Sequence, residues 1–161
     1  MTKKPEISII MNCHNGERFL EKSLNSVLSQ SFRNWELIFW DNQSTDRSLE
    51  IVRKFDDPRI RIYESKKFDK LGKARNKALH QCKGELIGFL DTDDIWCEDK
   101  LEKQIPLFEN KNVGLVYSNS IFFKGSKSKS LYKNKKNLPK GDGLKEVLGN
   151  YNLSLETVLI R

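Results

Sequence analysis

The sequence predicts an α/β fold: three layers, α/β/α, around a mainly parallel sheet. Three observations carry that prediction. Short apolar runs alternate with stretches of helical period along most of the chain. The length, 161 residues, suits one domain with a sizeable core. Three polar clusters each fall just after an apolar run, at the strand ends where open α/β sheets bind ligands.

The elements follow in order. Residues 6–12 are a β-branched apolar run, so a first strand, and Cys13-His14-Asn15-Gly16 is its turn. A helix over 17–31 comes next, with Phe19, Leu20, Leu24, Val27 and Leu28 on its apolar face. Residues 35–40 predict a second strand. The polar stretch Asp41 to Asp46 then offers Ser44 or Thr45 as a cap for a helix over 46–55, with Leu49, Ile51, Val52 and Phe55 inward. After the turn Asp56-Asp57-Pro58, residues 59–63 read as a half-exposed third strand. Residues 71–82 form a helix with Ala74, Ala78 and Leu79 as its apolar positions, and Gly84 stops it. Residues 85–90 are a short buried strand, followed at once by Asp91, Asp93 and Asp94. A helix over 95–110 contains Pro106, which kinks or divides it. Residues 113–117 make a fifth strand, 121–123 continue the sheet, 144–148 form a short helix, and 156–160 form a last strand.

Composition narrows the class. The chain is 37% hydrophobic and 32% charged, with mean hydropathy −0.63, as expected of a soluble globular protein. No apolar run approaches the ~20 residues of a membrane span. The basic start leads into too short an apolar run for a signal peptide, so the expectation is cytoplasmic. Cys13, Cys82 and Cys97 are odd in number and far apart, which reads as reduced thiols. The net charge is +7, and seven lysines without one acid lie between Lys124 and Lys140. That run reads first as a solvated loop, then as attraction to an anionic substrate or a peripheral contact with the inner face of a membrane. Nucleic acid is a weaker third reading, because no nucleic-acid motif accompanies the lysines.

The chemistry concentrates in the three clusters. With ~8 Å of screening length at physiological salt, three carboxylates in four positions repel one another. A divalent cation with a taste for hard oxygen ligands relieves that repulsion. The structural alternative is that Asp93 or Asp94 caps the following helix. Asp41 has two readings as well, an Asx-type turn or a carboxylate that accepts a ligand hydrogen bond. His14 is either a turn residue or a ligand contact, and His80 is a surface residue. Lys73, Arg75 and Asn76 form a solvated helix face, or one of them reaches phosphates. The chain has no G-x-x-x-x-G-K-[ST], no G-x-G-x-x-G after its first strand and no G-x-S-x-G. These absences argue against P-loop NTPases, nicotinamide dehydrogenases and α/β-hydrolases.

Five segments resemble family-2 glycosyltransferases, in that family's order, across residues 6 to 118. They are Ser8 to Leu20 (SIIMNCHNGERFL), Ser26 to Phe32, Glu36 to Asp46 (ELIFWDNQSTD), Ala74 to Leu79 (ARNKAL) and Gly84 to Asp94 (GELIGFLDTDD). The resemblance implies a GT-A, Rossmann-like fold and a nucleotide-diphosphosugar donor. It implies that Asn12, His14, Asn15, Asp41, Asn42, Arg75 and Asp91 bind the donor nucleotide. It implies that Asp91-Thr92-Asp93 is a D-x-D motif, with Asp93, Asp91 and Asp94 around Mg²⁺ or Mn²⁺. Two positions depart from the pattern. Asn12-Cys13-His14 stands where many members have Pro-Thr-Tyr or Pro-Cys-Tyr, and Asn42 replaces a frequent second aspartate.

The implied reaction is metal-assisted, inverting transfer of a sugar to a glycan or lipid-linked acceptor, in polysaccharide or glycan assembly. The family's general base is expected beyond Arg161, and Glu156 is the nearest acid in sequence. The expectation is therefore a single donor-binding domain over 1–161 without its acceptor part. The rivals are a non-catalytic nucleotide-sugar-binding module and a basic nucleic-acid binder. A haloacid-dehalogenase phosphatase is disfavoured because its D-x-D follows the first strand, and here the motif follows the fourth. A sugar nucleotidyltransferase is disfavoured for want of a Gly-rich, Arg-containing first loop.

Overall fold

The computed structural model describes residues 4–124, 127–131, 141 and 154–161. Its main sheet has six strands: β1 (Ile7–Cys13), β2 (Trp35–Asp41), β3 (Ile60–Glu64), β4 (Leu86–Phe89), β5 (Leu115–Val116) and β8 (Leu159–Ile160). Their order is β3-β2-β1-β4-β8-β5. The first four are parallel, with Ile7 beside Trp35 and Leu86, and Leu37 beside Ile60. β8 runs antiparallel between β4 and β5.

Side-chain alternation along β1 builds two cores at once. Ile7, Ile9, Met11 and Cys13 join Leu37 and Phe39 under α1 (Leu20–Leu28), α2 (Ser48–Arg53) and α4 (Lys100–Gln104). Ile10 faces the other way and packs with Ile38, Trp40, Ala74 and Ala78 under α3 (Leu71–Leu79). The close fit of α3 explains its small residues, because anything larger than alanine would lift the helix off the sheet. Gly84 is needed for a similar reason: a Cβ there would lie 2.5 Å from the backbone nitrogen of Ser8.

The N-terminal end of the sheet holds a closed polar network. Ser8 donates to Glu36 at 2.6 Å, the Lys83 N–H donates to the same carboxylate at 2.6 Å, and Arg61 pairs with it at 2.7 Å. Burial pushes the Glu36 carboxyl up, but these donors outweigh it and hold the group below its usual range.

Several expectations need correction. The helix predicted over 95–110 starts only at Lys100, and Pro106 sits in a separate 3-10 turn, Ile105–Glu109. Residues 96–98 are held by the end of α1 instead: the Trp96 N–H reaches Ser26, and the Cys97 and Glu98 carbonyls accept from Gln30 and Ser31. Asp93 and Asp94 therefore cap no helix. The first helix is shorter than 17–31, and Phe19 is 42% exposed. Leu79 is likewise exposed. Residues 121–123 do not extend the main sheet. They belong to β6 (Ile121–Lys124), which pairs with β7 (Lys127–Leu131) as a separate hairpin. Part of the lysine run is thus a strand rather than a loop. The helix expected at 144–148 lies outside the described residues.

Candidate functional site

The three polar clusters do meet, at the carboxyl ends of β1, β2 and β4. The Asn42 N–H donates to the Cys13 carbonyl at 2.8 Å, which staples the first loop to the second. Asn15 adopts the left-handed region at φ 57°, and its side-chain oxygen accepts the Thr45 N–H at 2.7 Å. Ser44 and Ser48 accept the N–H groups of Asn15 and Gly16 at 3.0 and 2.9 Å. Gly16 is also where the first loop touches the third: a Cβ there would lie 2.9 Å from the Thr92 hydroxyl. Asp41 is buried and accepts the Ser44 N–H at 3.1 Å, so the Asx-turn reading of this residue is realised.

The third cluster hangs from β4. The Leu90 N–H donates to the Ile10 carbonyl at 3.0 Å. The buried Ser23 hydroxyl of α1 lies 3.0 Å from the Asp91 carbonyl and also contacts that of Asp94. Arg75, projecting from α3, pairs with the Asp91 carboxylate at 2.8 Å. Asp93 is exposed and makes no hydrogen bond or ion pair among the described residues. Burial, helped by the charges of Glu156, Asp93 and Asp91, pushes the Asp94 carboxyl up to about 6.

Asn12 is the anomaly of the rim. It follows Ser8 and Ile10 on the α3 side of β1, and both its amide oxygen and its amide nitrogen are buried without a partner. An amide in that state costs about 1–3 kcal/mol. No ready-made group of three His, Cys, Asp or Glu side chains exists among the described residues. The carboxylates thus offer a partial oxygen set, in which Asp93 is free and Asp91 already shares an oxygen with Arg75.

Two residues matter here that the sequence does not single out, Ser23 and Phe68, and Glu156 enters by a contact that its place in the sequence does not show. Ser23 looked like an ordinary position on the first helix. Phe68 sits in the loop between β3 and α3, 55% exposed, and its ring makes a T-shaped contact with His14 at 4.8 Å between centroids. Glu156 lies close enough to Asp94 to raise its carboxyl. The turn Leu155–Thr157 that carries Glu156 is tied down from the segment after the carboxylates. Trp96 Nε1 donates to the Glu156 carbonyl at 2.8 Å, and Lys100 and Gln104 each donate to the Thr157 carbonyl at 3.0 Å. Lys100 is only 8% exposed, and burial lowers its ammonium to about 7. A periodicity argument has no access to such a contact, since it joins segments more than fifty residues apart.

Asn42 is placed at the rim but is not free to read a ligand with its side chain. Its amide donates to the Asp69 carbonyl at 2.8 Å and accepts the Asp69 N–H at 3.0 Å. Asn42 therefore works as a clamp on the loop before α3. The Lys124 to Lys140 run falls on the β6–β7 hairpin and on residues outside those described.

Sheet order, helices on both faces and a rim built from three strand ends are those of a GT-A, Rossmann-like fold. Staphylococcus aureus TarS 1-349, solved in complex with UDP-GlcNAc, shares it with a TM-score of 0.73, 25% identity and coverage of 97% of this chain and 45% of that one. The model of glycosyl transferase family 2 matches residues 8–155, and the chain belongs to that family. Among curated relatives, the Escherichia coli UDP-Glc:alpha-D-GlcNAc-diphosphoundecaprenol beta-1,3-glucosyltransferase WfgD is 40% identical over 113 residues, 70% of this chain and 45% of its own. The putative teichuronic acid biosynthesis glycosyltransferase TuaG of Bacillus subtilis (strain 168) is 35% identical over 117 residues, 71% of this chain and 46% of its own. The chain spans about half the length of the curated relatives it matches.

Proposed function

We propose that this chain binds a nucleotide-diphosphosugar at the strand-end rim and serves transfer of its sugar to a glycan or lipid-linked acceptor hydroxyl, in polysaccharide assembly. The observation that carries the reading is a rim of fixed backbone with polar groups unanswered among the described residues: the amide of Asn12 on β1 and the carboxylate of Asp93 after β4. A folded chain tolerates such groups where a ligand completes them. Family membership supports the donor class, and relatives named for acceptors and polymers of this kind support the destination.

Asp93 and the free oxygen of Asp91 fit a Mg²⁺ or Mn²⁺ ion, whose remaining positions would be taken by phosphate oxygens and water. Such a cation supplies neutralisation of the charge that builds on the departing diphosphate. The chain's own groups then divide the remaining work. Asn12 offers a donor and an acceptor to the nucleotide. Arg75 is within reach of both Asp91 and an incoming phosphate. Asp41 holds the turn that shapes the nucleotide side of the rim. The buried Ser23 hydroxyl fixes the backbone of Asp91 and Asp94, so that their carboxylates keep one orientation. A general base that takes the acceptor proton completes an inverting transfer.

Calorimetric titration with UDP-, GDP- and dTDP-sugars, with and without Mn²⁺, tests the donor reading. Heat is expected for at least one sugar nucleotide and should grow when Mn²⁺ is added. Absence of heat with all of them overturns it. Release of free nucleoside diphosphate in the presence of a lipid-linked acceptor separates a transferase from a binding module.

A further inference from the structure

We infer that Phe68 is the stacking partner of the donor's nucleobase, with His14 as the ring that holds it in place; this rests on the nucleotide-sugar reading above. The loop that carries Phe68 is fixed rather than free. Asn42 clamps Asp69 from both sides, Gln43 donates to the Lys66 carbonyl at 3.0 Å, and the Ser65 N–H reaches the Asp41 carbonyl at 2.8 Å. The Asp69 carboxylate is in turn gripped by Lys73 at 3.3 Å and by Lys77, which fastens the loop to α3. On the other side, His14 Nδ1 lies 3.0 Å from the Asn42 carbonyl, and this contact fixes the imidazole against the Phe68 ring, with the two ring planes at 64°.

A phenylalanine more than half exposed normally lies over its neighbours or turns inward, because water-facing aromatic surface is unfavourable. Here six polar contacts hold the loop so that the ring stays out. An aromatic face held rigid has already lost the freedom that binding would otherwise remove. It stands beside the first two loops of the rim, on the β2–β3 side, with the carboxylates on the β4 side. A nucleoside diphosphate laid from one side to the other puts its base at Phe68 and its phosphates at Asp91 and Asp93. Stacking is tolerant of base identity, so Phe68 supplies affinity for any base, and its neighbours supply the choice among them.

The test compares ligands with and without a base, on the whole chain with Mn²⁺. UDP, GDP, dTDP and inorganic pyrophosphate are titrated into wild type, Phe68→Ala and Phe68→Tyr. Phe68→Ala should lose about tenfold or more in affinity for the nucleoside diphosphate that wild type prefers, within the range of base–aromatic stacking. Its affinity for pyrophosphate should stay within about twofold, and Phe68→Tyr should bind like wild type. Phe68 is largely exposed, so both variants should keep the wild-type melting temperature. If Phe68→Ala binds the nucleoside diphosphate as wild type does, or loses pyrophosphate equally, the inference falls while the donor reading stands. If wild type binds pyrophosphate but none of UDP, GDP and dTDP, both fall together.

Discussion

The two ends of the central sheet treat their polar groups in opposite ways. At the N-terminal end, the buried carboxylate of Glu36 is answered by Ser8, Lys83 and Arg61, and nothing in that network is left over. At the C-terminal end, among the described residues, Asn12 has two buried unpaired atoms and Asp93 has no partner, and Asp94 is pushed up to about 6 by burial and by its neighbours' charges. Both ends are built from the same strands, so the contrast does not come from the fold. A saturated network serves stability, and an unsaturated one at a rigid rim reserves its bonds for something else.

Breaking the saturated end should give the largest effect. Arg61→Met leaves Glu36 buried without its cation and should cost about 3 kcal/mol in urea unfolding. Affinity for nucleotide should be unchanged in the fraction that remains folded. At the open end the outcome reverses: Asp93→Ala should lower Mn²⁺-dependent affinity for nucleoside diphosphate by about 100-fold, roughly 2.7 kcal/mol, and leave the melting temperature in place. A loss of stability instead would mean that Asp93 belongs to the scaffold.

Asn12→Leu sharpens the contrast, because it removes both orphaned atoms at little change in volume. The empty protein should become more stable by about 1–2 kcal/mol, with nucleotide binding weakened in the same variant. Lys100 gives a pH signature. Its ammonium titrates near 7 in the folded chain and near its ordinary, higher value when unfolded. Between those values the unfolded chain holds the extra proton, so stability should rise with pH by roughly 1 kcal/mol per unit from pH 7 upward. Lys100→Met should flatten that rise in denaturant titrations at stepped pH. The smallest expected effect is that of Lys133, Lys135 and Lys136 changed together to Gln. Donor affinity should move by less than about twofold, whereas a tenfold loss, about 1.4 kcal/mol, would put the lysine segment in the donor site.

The parallel half of the sheet was legible because β1, β2 and β4 are short, mostly apolar runs that end in polar clusters. The rim was legible for the same reason, since strand ends in such folds gather on one edge. The helix expected over 95–110 starts late because the Ser26 hydroxyl, the Gln30 amide and the Ser31 N–H, in α1 and just after it, claim residues 96–98, and helical period takes no account of them. The antiparallel entry of β8 depends on pairing with segments far away in sequence. The part played by Asn42 depends on the backbone of Asp69, and that of Phe68 on the ring of His14. In each of these cases the deciding partner lies at a distance that local pattern does not reach.

The position of β8 has a consequence for the order of folding. Among the described residues β5 meets the main sheet only through β8, whose Leu159 lies 43 positions after Val116 (159 − 116). The four parallel strands can therefore assemble first, and bringing β8 to β5 across that separation is the entropically expensive late step. Amide exchange at Leu115, Val116 and Leu159 should slow down together in refolding, after Ile9 and Leu37 are already protected.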